Sequence, residues 1–86
     1  IAPLEAMASG LPLVAPNRGG VLTYAKPNNA WLAEPEPAAF AEAVEDTFTN
    51  PERQDRIQRA METAAQYHWH AVASRYMDLY DRLALG

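Results

Sequence analysis

The 86-residue chain carries eleven acidic against seven basic side chains, a formal net charge of -4. That balance offers no broad positive field for nucleic acid or an anionic membrane, although a local cationic pocket for a phosphate is compatible with it. With no cysteine, disulfides, thiolate chemistry and cysteine metal sites are excluded, which fits a reducing compartment; no apolar run approaches the roughly 20 residues that span a bilayer, and no secretory leader is evident.

Residues 3–9 read as a short helix, with Leu4, Met7 and Ala8 at helical spacing, Gly10 as a left-handed cap and Pro12 stopping any continuation. Leu13-Val14-Ala15 is an apolar run without alternation, suited to an inner strand of a parallel sheet, and Pro16-Asn17-Arg18-Gly19-Gly20 bounds it. Val21–Lys26 has room for one helical turn. Pro27-Asn28-Asn29 signals a turn before a second, weaker strand at Ala30-Trp31-Leu32-Ala33.

From Ala38 to Asn50, with Pro37 at its head, Phe40, Val44 and Phe48 recur every four residues and predict an amphipathic helix. Asn50-Pro51-Glu52 combines a capping residue, a proline and an early acid, so a further helix is expected from Pro51 to about Tyr67 with Ile57, Met61 and Ala64 or Ala65 inward. A last helix is expected from about Trp69 to Leu83, presenting Val72, Tyr76, Leu79 or Tyr80, and Leu83 on one side. Two short strands offer too little surface for these helices, so the sequence implies an α/β sheet whose upstream strands lie elsewhere.

Glu5 is the sole acid in the first 33 positions. An acid there is either a solvated surface group or, because ligands of parallel α/β sheets gather at strand carboxyl ends and helix N-termini, a carboxylate able to accept both hydroxyl protons of a ribose. Arg18-Gly19-Gly20 follows a strand directly, so its amides could surround a phosphate with Arg18 adding charge; a plain strand-to-helix turn reads equally well, because the segment lacks both GxGxxG and the P-loop lysine. His68 and His70 point in different directions on a helix and lack a third ligand, which argues against a metal; they are expected to mark a helix junction with Trp69 wedged into a neighbouring layer. Tyr67, Trp69, Tyr76 and Tyr80 sit in an acidic helical context that suits packing rather than a nucleic-acid platform.

The run Leu4-Glu5-Ala6-Met7-Ala8-Ser9-Gly10-Leu11-Pro12-Leu13-Val14-Ala15 resembles the second half of the signature of retaining nucleotide-sugar glycosyltransferases with two facing Rossmann-like domains, the GT-B architecture. Arg18-Gly19-Gly20, the Asn29–Leu32 strand entry, the Phe40–Phe48 helix, Asn50-Pro51-Glu52-Arg53, and Trp69 followed by Tyr80 fall in the order expected for the end of that fold. The resemblance spans essentially the whole chain. It implies that residues 1–86 are a partial carboxy-terminal donor-binding domain, with the upstream strands, the first signature glutamate, the diphosphate-neutralising basic residues and the acceptor domain missing.

By the same resemblance Glu5 would hold the donor ribose, Arg18, Gly19 and Gly20 would lie near the donor, and the backbone at Ile1 and Ala2 would approach the diphosphate, with Pro3 contributing no amide. No catalytic residue and no metal falls within the chain; the donor is a nucleoside diphosphate sugar and no cofactor is implied. The expected partners are that donor, a sugar, lipid or small-molecule acceptor, the missing upstream portion or a separate upstream chain, and a second copy in a homodimer. The expected location is the cytoplasm, or for the parent protein the inner face of a membrane, and the isolated chain is expected to be inactive. Two other readings stay open: a piece that only completes a Rossmann-like sheet, and a nucleotide-binding module without transfer chemistry.

Overall fold

A computed structural model describes residues 2–85. In chain order it contains α1 (Pro3–Ala8), β1 (Val14–Pro16), a 3-10 turn (Gly20–Thr23), β2 (Trp31–Ala33), α2 (Pro37–Thr49) and α3 (Arg53–Leu85). Pro3 supplies a preset φ in the first turn of α1. At the other end Gly10, at φ 77°, takes the left-handed conformation that turns the chain toward β1, and the Leu11 amide donates to the Ala6 carbonyl (3.1 Å). A short helix, a left-handed exit and a strand therefore follow in the order the sequence implies.

β1 and β2 pair in parallel, with Val14 opposite Trp31, Ala15 opposite Leu32 and Pro16 opposite Ala33. The Trp31 amide donates to the Leu13 carbonyl (2.8 Å) and the Asn17 amide to the Ala33 carbonyl (3.0 Å). Because strand amides alternate in direction, residues 13, 15 and 17 are spent on β2, and the backbone groups of Val14 and Pro16 point to the opposite edge of β1. Pro16 sits where its missing N–H costs no bond to β2. That opposite edge runs along a groove of about 540 Å³ lined by Pro3, Ala6, Pro12, Val14, Pro16 and Val21, an apolar surface of the kind a further strand would cover.

The core lies where α1 and α3 meet the two strands. Ala6, Met7, Leu13, Ala15, Ala25, Ala30, Ala60 and Ala64 form one buried cluster, with Leu4, Val21, Tyr24 and Leu32 packed on it. Met7 is its one large, fully buried side chain; most of the others are alanines, which let the backbones of α1, α3 and the strand ends approach closely. Small side chains also mean little apolar area per residue, so close helix contact rather than bulk sets the geometry.

Beside β2 a second set of contacts holds α2. The Trp31 indole N–H donates to Asp46 Oδ2 (2.8 Å), Asn50 Nδ2 donates to the same oxygen (2.9 Å), and the Arg56 guanidinium lies over the indole at 4.9 Å. Two donors on one oxygen hold the Asp46 carboxyl below its ordinary pKa, the Asn50 bond first, then the Trp31 bond, with Arg56 adding to them against a smaller opposing effect of burial. At the start of α3, Asn50 Oδ1 accepts the Glu52 amide (2.8 Å) and the Asn50 carbonyl accepts the Arg53 amide (3.1 Å), so Asn50 opens the helix as expected through an Asx turn rather than with Pro51 as the first helical residue.

Three sequence expectations are corrected. The two final helices are one, α3, of 33 residues. Between Arg53 and Leu85 there is no glycine or proline to break it, and the Thr63-Ala64-Ala65-Gln66 stretch propagates the helix through the supposed junction. His68 and His70 are therefore mid-helix, and Trp69 is 67% exposed rather than wedged into a layer.

The Phe40, Val44 and Phe48 stripe does not face this core: Phe48 is 76% exposed and Val44 also lies open, while Thr47 is the buried residue of α2. In α3, Ala60 and not Met61 joins Ile57 and Ala64 inside, since only a small side chain fits where α1 crosses. The outer half of α3 presents Tyr76, Met77, Leu79, Tyr80 and Leu83 to solvent, and the molecule extends 56 × 24 × 19 Å.

Candidate functional site

Because α1 precedes β1 and runs back along it, the head of the helix lies at the carboxyl end of the strand. Pro3 at that head, Pro16 at the end of β1 and Val21 in the 3-10 turn border the same groove. This is the end of a parallel pair at which α/β proteins gather ligands. Of the sequence-selected residues, Ala2 and Glu5 lie at the start of α1 and Arg18, Gly19 and Gly20 in the loop after β1; none of these five lines the groove itself.

Glu5 is exposed in the first turn of α1. It borders a second groove, of about 430 Å³, between α1 and α3, together with Leu4, Ala8, Tyr67 and His68. Ala2 is the exposed N-terminal flanking residue of α1, in extended backbone conformation, and its carbonyl accepts the Ala6 amide (3.1 Å). With Pro3 lacking an N–H, the amides that the first turn leaves without intrahelical partners are those of Leu4 and Glu5. Ile1 lies outside the described residues.

Arg18, Gly19 and Gly20 are all exposed. Their loop is anchored just before it leaves the sheet, where the Asn17 amide bonds to Ala33 and Asn17 Nδ2 donates to Glu34 Oε1 (3.0 Å). Gly19 has φ 85° and ψ -168°, a region essentially reserved for glycine. It turns the chain sharply into the 3-10 turn, which is closed by the Leu22 amide on the Gly19 carbonyl (3.2 Å) and the Tyr24 amide on the Val21 carbonyl (3.2 Å). Gly20 opens the turn with no such demand, and a Cβ there would meet nothing within 4 Å.

Two residues that the sequence suggests only as part of a turn and as a packing aromatic tie these pieces together. Asn29 is 4% exposed and uses its whole side chain. Its Oδ1 accepts the Lys26 amide (2.8 Å), and its Nδ2 donates to the Tyr24 carbonyl (3.0 Å) and to Thr63 Oγ1 on α3 (3.2 Å). The Tyr67 hydroxyl donates to the Thr23 carbonyl (3.2 Å), and its ring meets that of Tyr24 edge-on at 5.7 Å. Tyr67 thus touches the 3-10 turn while lining the groove that Glu5 borders. The signal for Asn29 was its place in Pro27-Asn28-Asn29, where an amide side chain can close a loop on itself; nothing local pointed to Tyr67, whose partner lies 44 positions earlier.

The family model described as "Glycosyl transferases group 1" matches residues 1–64, from α1 through the first third of α3. The chain belongs to the group 1 glycosyl transferases. It is similar to the spore coat protein SA of Bacillus subtilis (strain 168), at 29% identity over 85 residues that cover 91% of this chain and 22% of that protein. It is also similar to D-inositol 3-phosphate glycosyltransferase 2 of Catenulispora acidiphila, at 34% identity over 82 residues covering 92% of this chain and 19% of that protein. The chain therefore spans about a fifth of the length of these relatives. No solved structure matches it significantly.

The helix–strand–turn–strand order seen here is consistent with the Rossmann-like architecture of this glycosyl transferase family. Among the described residues no helix is long and apolar enough to cross a membrane.

Proposed function

We propose that this glycosyl transferase chain is the carboxy-terminal part of the donor-binding domain of a larger GT-B enzyme, which moves a sugar from a nucleoside diphosphate sugar to an acceptor hydroxyl with retention of configuration. The observation that carries the reading is the family match across the segment that bears Glu5 and Arg18-Gly19-Gly20. The open apolar edge of β1 and the uncovered faces of α2 and the outer half of α3 support a larger body around the chain. D-inositol 3-phosphate glycosyltransferase 2, by its name, acts on a small phosphorylated polyol; the acceptor class here is left to a small-molecule, sugar or lipid hydroxyl.

In this reading Glu5 accepts the ribose hydroxyl protons and fixes the nucleoside end of the donor. Negative charge grows on the diphosphate as the glycosidic bond breaks, so donors aimed at it lower the barrier more than they stabilise the bound sugar nucleotide. Arg18 and the amides at Gly19 and Gly20 serve there as auxiliary groups, with the backbone at Ala2 near the diphosphate end. The residues carrying most of the diphosphate charge, and the acceptor domain, belong to the remainder of the enzyme. Residues 1–86 alone therefore turn over no donor.

The test is a transfer assay on the full-length protein with a panel of nucleoside diphosphate sugars, reading the anomeric configuration of the product by NMR. Transfer with retention is the expected result. Release of a product of opposite configuration, or donor binding with no transfer to any hydroxyl acceptor, would overturn it in favour of an inverting enzyme or a binding module.

A further inference from the structure

Sugar-nucleotide sites built on loops work only as well as the loops are held. The turn that carries Arg18-Gly19-Gly20 into Tyr24 is short of large apolar anchors: Val21, Leu22 and Tyr24 are only partly buried, and Thr23 is exposed. Polar bonds supplement the packing of Val21 and Tyr24 on the core. We propose that Asn29 and Tyr67 are positioning residues that clamp this turn onto α3 and so set the distance between it and the Glu5 groove. The proposal rests on the donor-site reading above.

Three bonds cross between the loop and α3, two of them made by Asn29 and Tyr67. Asn29 reaches Thr63, and Tyr67 reaches the Thr23 carbonyl. Asn29 also gathers the loop itself, bonding to Lys26 and Tyr24 at the same time, so the loop moves as a unit with whatever Asn29 grips. Thr63 is in turn fixed, because its hydroxyl proton is committed to the Arg59 carbonyl (3.0 Å) and its lone pairs face Asn29. Arg59 Nε adds a contact to the Asn28 carbonyl beside them.

Glu5 rides on α1, which packs on the same stretch of α3 through Ala60 and Ala64. α3 is thus the common ruler for the carboxylate and the glycine turn, and Tyr67 stands at the point where both meet it. Since Asn29 is buried with every polar atom paired, removing its α3 partner leaves a donor to be resatisfied only by letting the loop shift.

The experiment uses the full-length protein with two near-isosteric changes, Thr63→Val and Tyr67→Phe, singly and together. They delete the crossing bonds of Asn29 and Tyr67 and keep the Arg59 bond to Asn28, the Tyr67 ring and the bonds of Asn29 within its loop. The double variant is expected to raise donor KM about 5- to 20-fold, as two lost hydrogen bonds imply, with acceptor KM within about twofold. Backbone amides from Gly20 to Tyr24 are expected to exchange with solvent about tenfold faster, while those of β2 keep their protection.

A general structural role would instead move kcat, both KM values and global protection together, and that pattern would overturn the proposal. An unchanged donor KM in a variant whose wild type turns over donor would overturn the clamp alone. A wild type that neither binds nor transfers any nucleoside diphosphate sugar would remove the donor-site reading and the clamp with it; faster turn exchange in the variants would then report a purely structural tie.

Discussion

Gly19 and Gly20 are neighbours, both exposed, and an added Cβ at either would meet nothing within 4 Å. They differ in backbone conformation: Gly19 sits at φ 85°, ψ -168°, and Gly20 does not have a left-handed φ. Alanine at Gly19 should cost about 1–3 kcal/mol in backbone strain. At Gly20 the same change should stabilise by about 0.4–1 kcal/mol by narrowing the unfolded ensemble. The two variants should then lie about 1.5–4 kcal/mol apart although they add the same methyl group to the same loop. With urea slopes of about 1–3 kcal/mol/M, the midpoints should separate by on the order of 1 M. Coincident midpoints would refute the reasoning, since they would mean that the loop relaxes around the added methyl group without cost and that the Gly19 conformation is not imposed by the fold.

Other consequences follow from the packing. Asn50 and Trp31 stabilise ionised Asp46, so the stability tied to that carboxylate is present above its unfolded value of 3.8 and is lost as pH falls through its lower folded value; in urea titrations between about pH 6 and pH 2.5, Asp46→Asn should flatten the acid limb, and parallel curves would contradict this. Ala60→Leu, at 1% exposure where α1 meets α3, should destabilise by about 1–3 kcal/mol through overpacking, and a change below about 0.5 kcal/mol in urea titration would contradict that packing. Leu83→Ser in the full-length protein should cost about 2 kcal/mol or more if the larger body covers that face; a change below about 0.5 kcal/mol, normal for a side chain in water, would contradict that part of the proposed architecture.

The elements up to Thr49 were legible because each is bounded by local chemistry. Pro3, Gly10, Pro12, Pro16 and Pro37 punctuate the chain, and the two apolar runs between them have no other use than a parallel pair. The division of the last helix was misread because a cluster of aromatic and imidazole side chains around Trp69 is unusual in composition but imposes no backbone break.

The inward stripe of α2 was misread for another reason. Periodicity reports that a face is apolar, and Phe40, Val44 and Phe48 form one; it does not say which neighbour covers it. In this chain β2 instead takes the side of α2 that carries Ala43 and Asp46, held by the Trp31 indole. At the candidate site Glu5, Arg18 and the glycine pair were singled out from sequence because they are chemically conspicuous. Asn29 and Tyr67 were not, since their importance lies in bonds to residues 34 and 44 positions away.

The central claim, that this segment forms part of a sugar-nucleotide site with Glu5 on the nucleoside, is tested most directly by calorimetric titration of nucleoside diphosphate sugars into the full-length protein and its Glu5→Gln variant. Loss of a charged acceptor of two hydroxyl bonds should weaken donor binding about ten- to hundredfold with the melting temperature unchanged, as suits an exposed residue. Equal affinities in the two proteins would contradict the account.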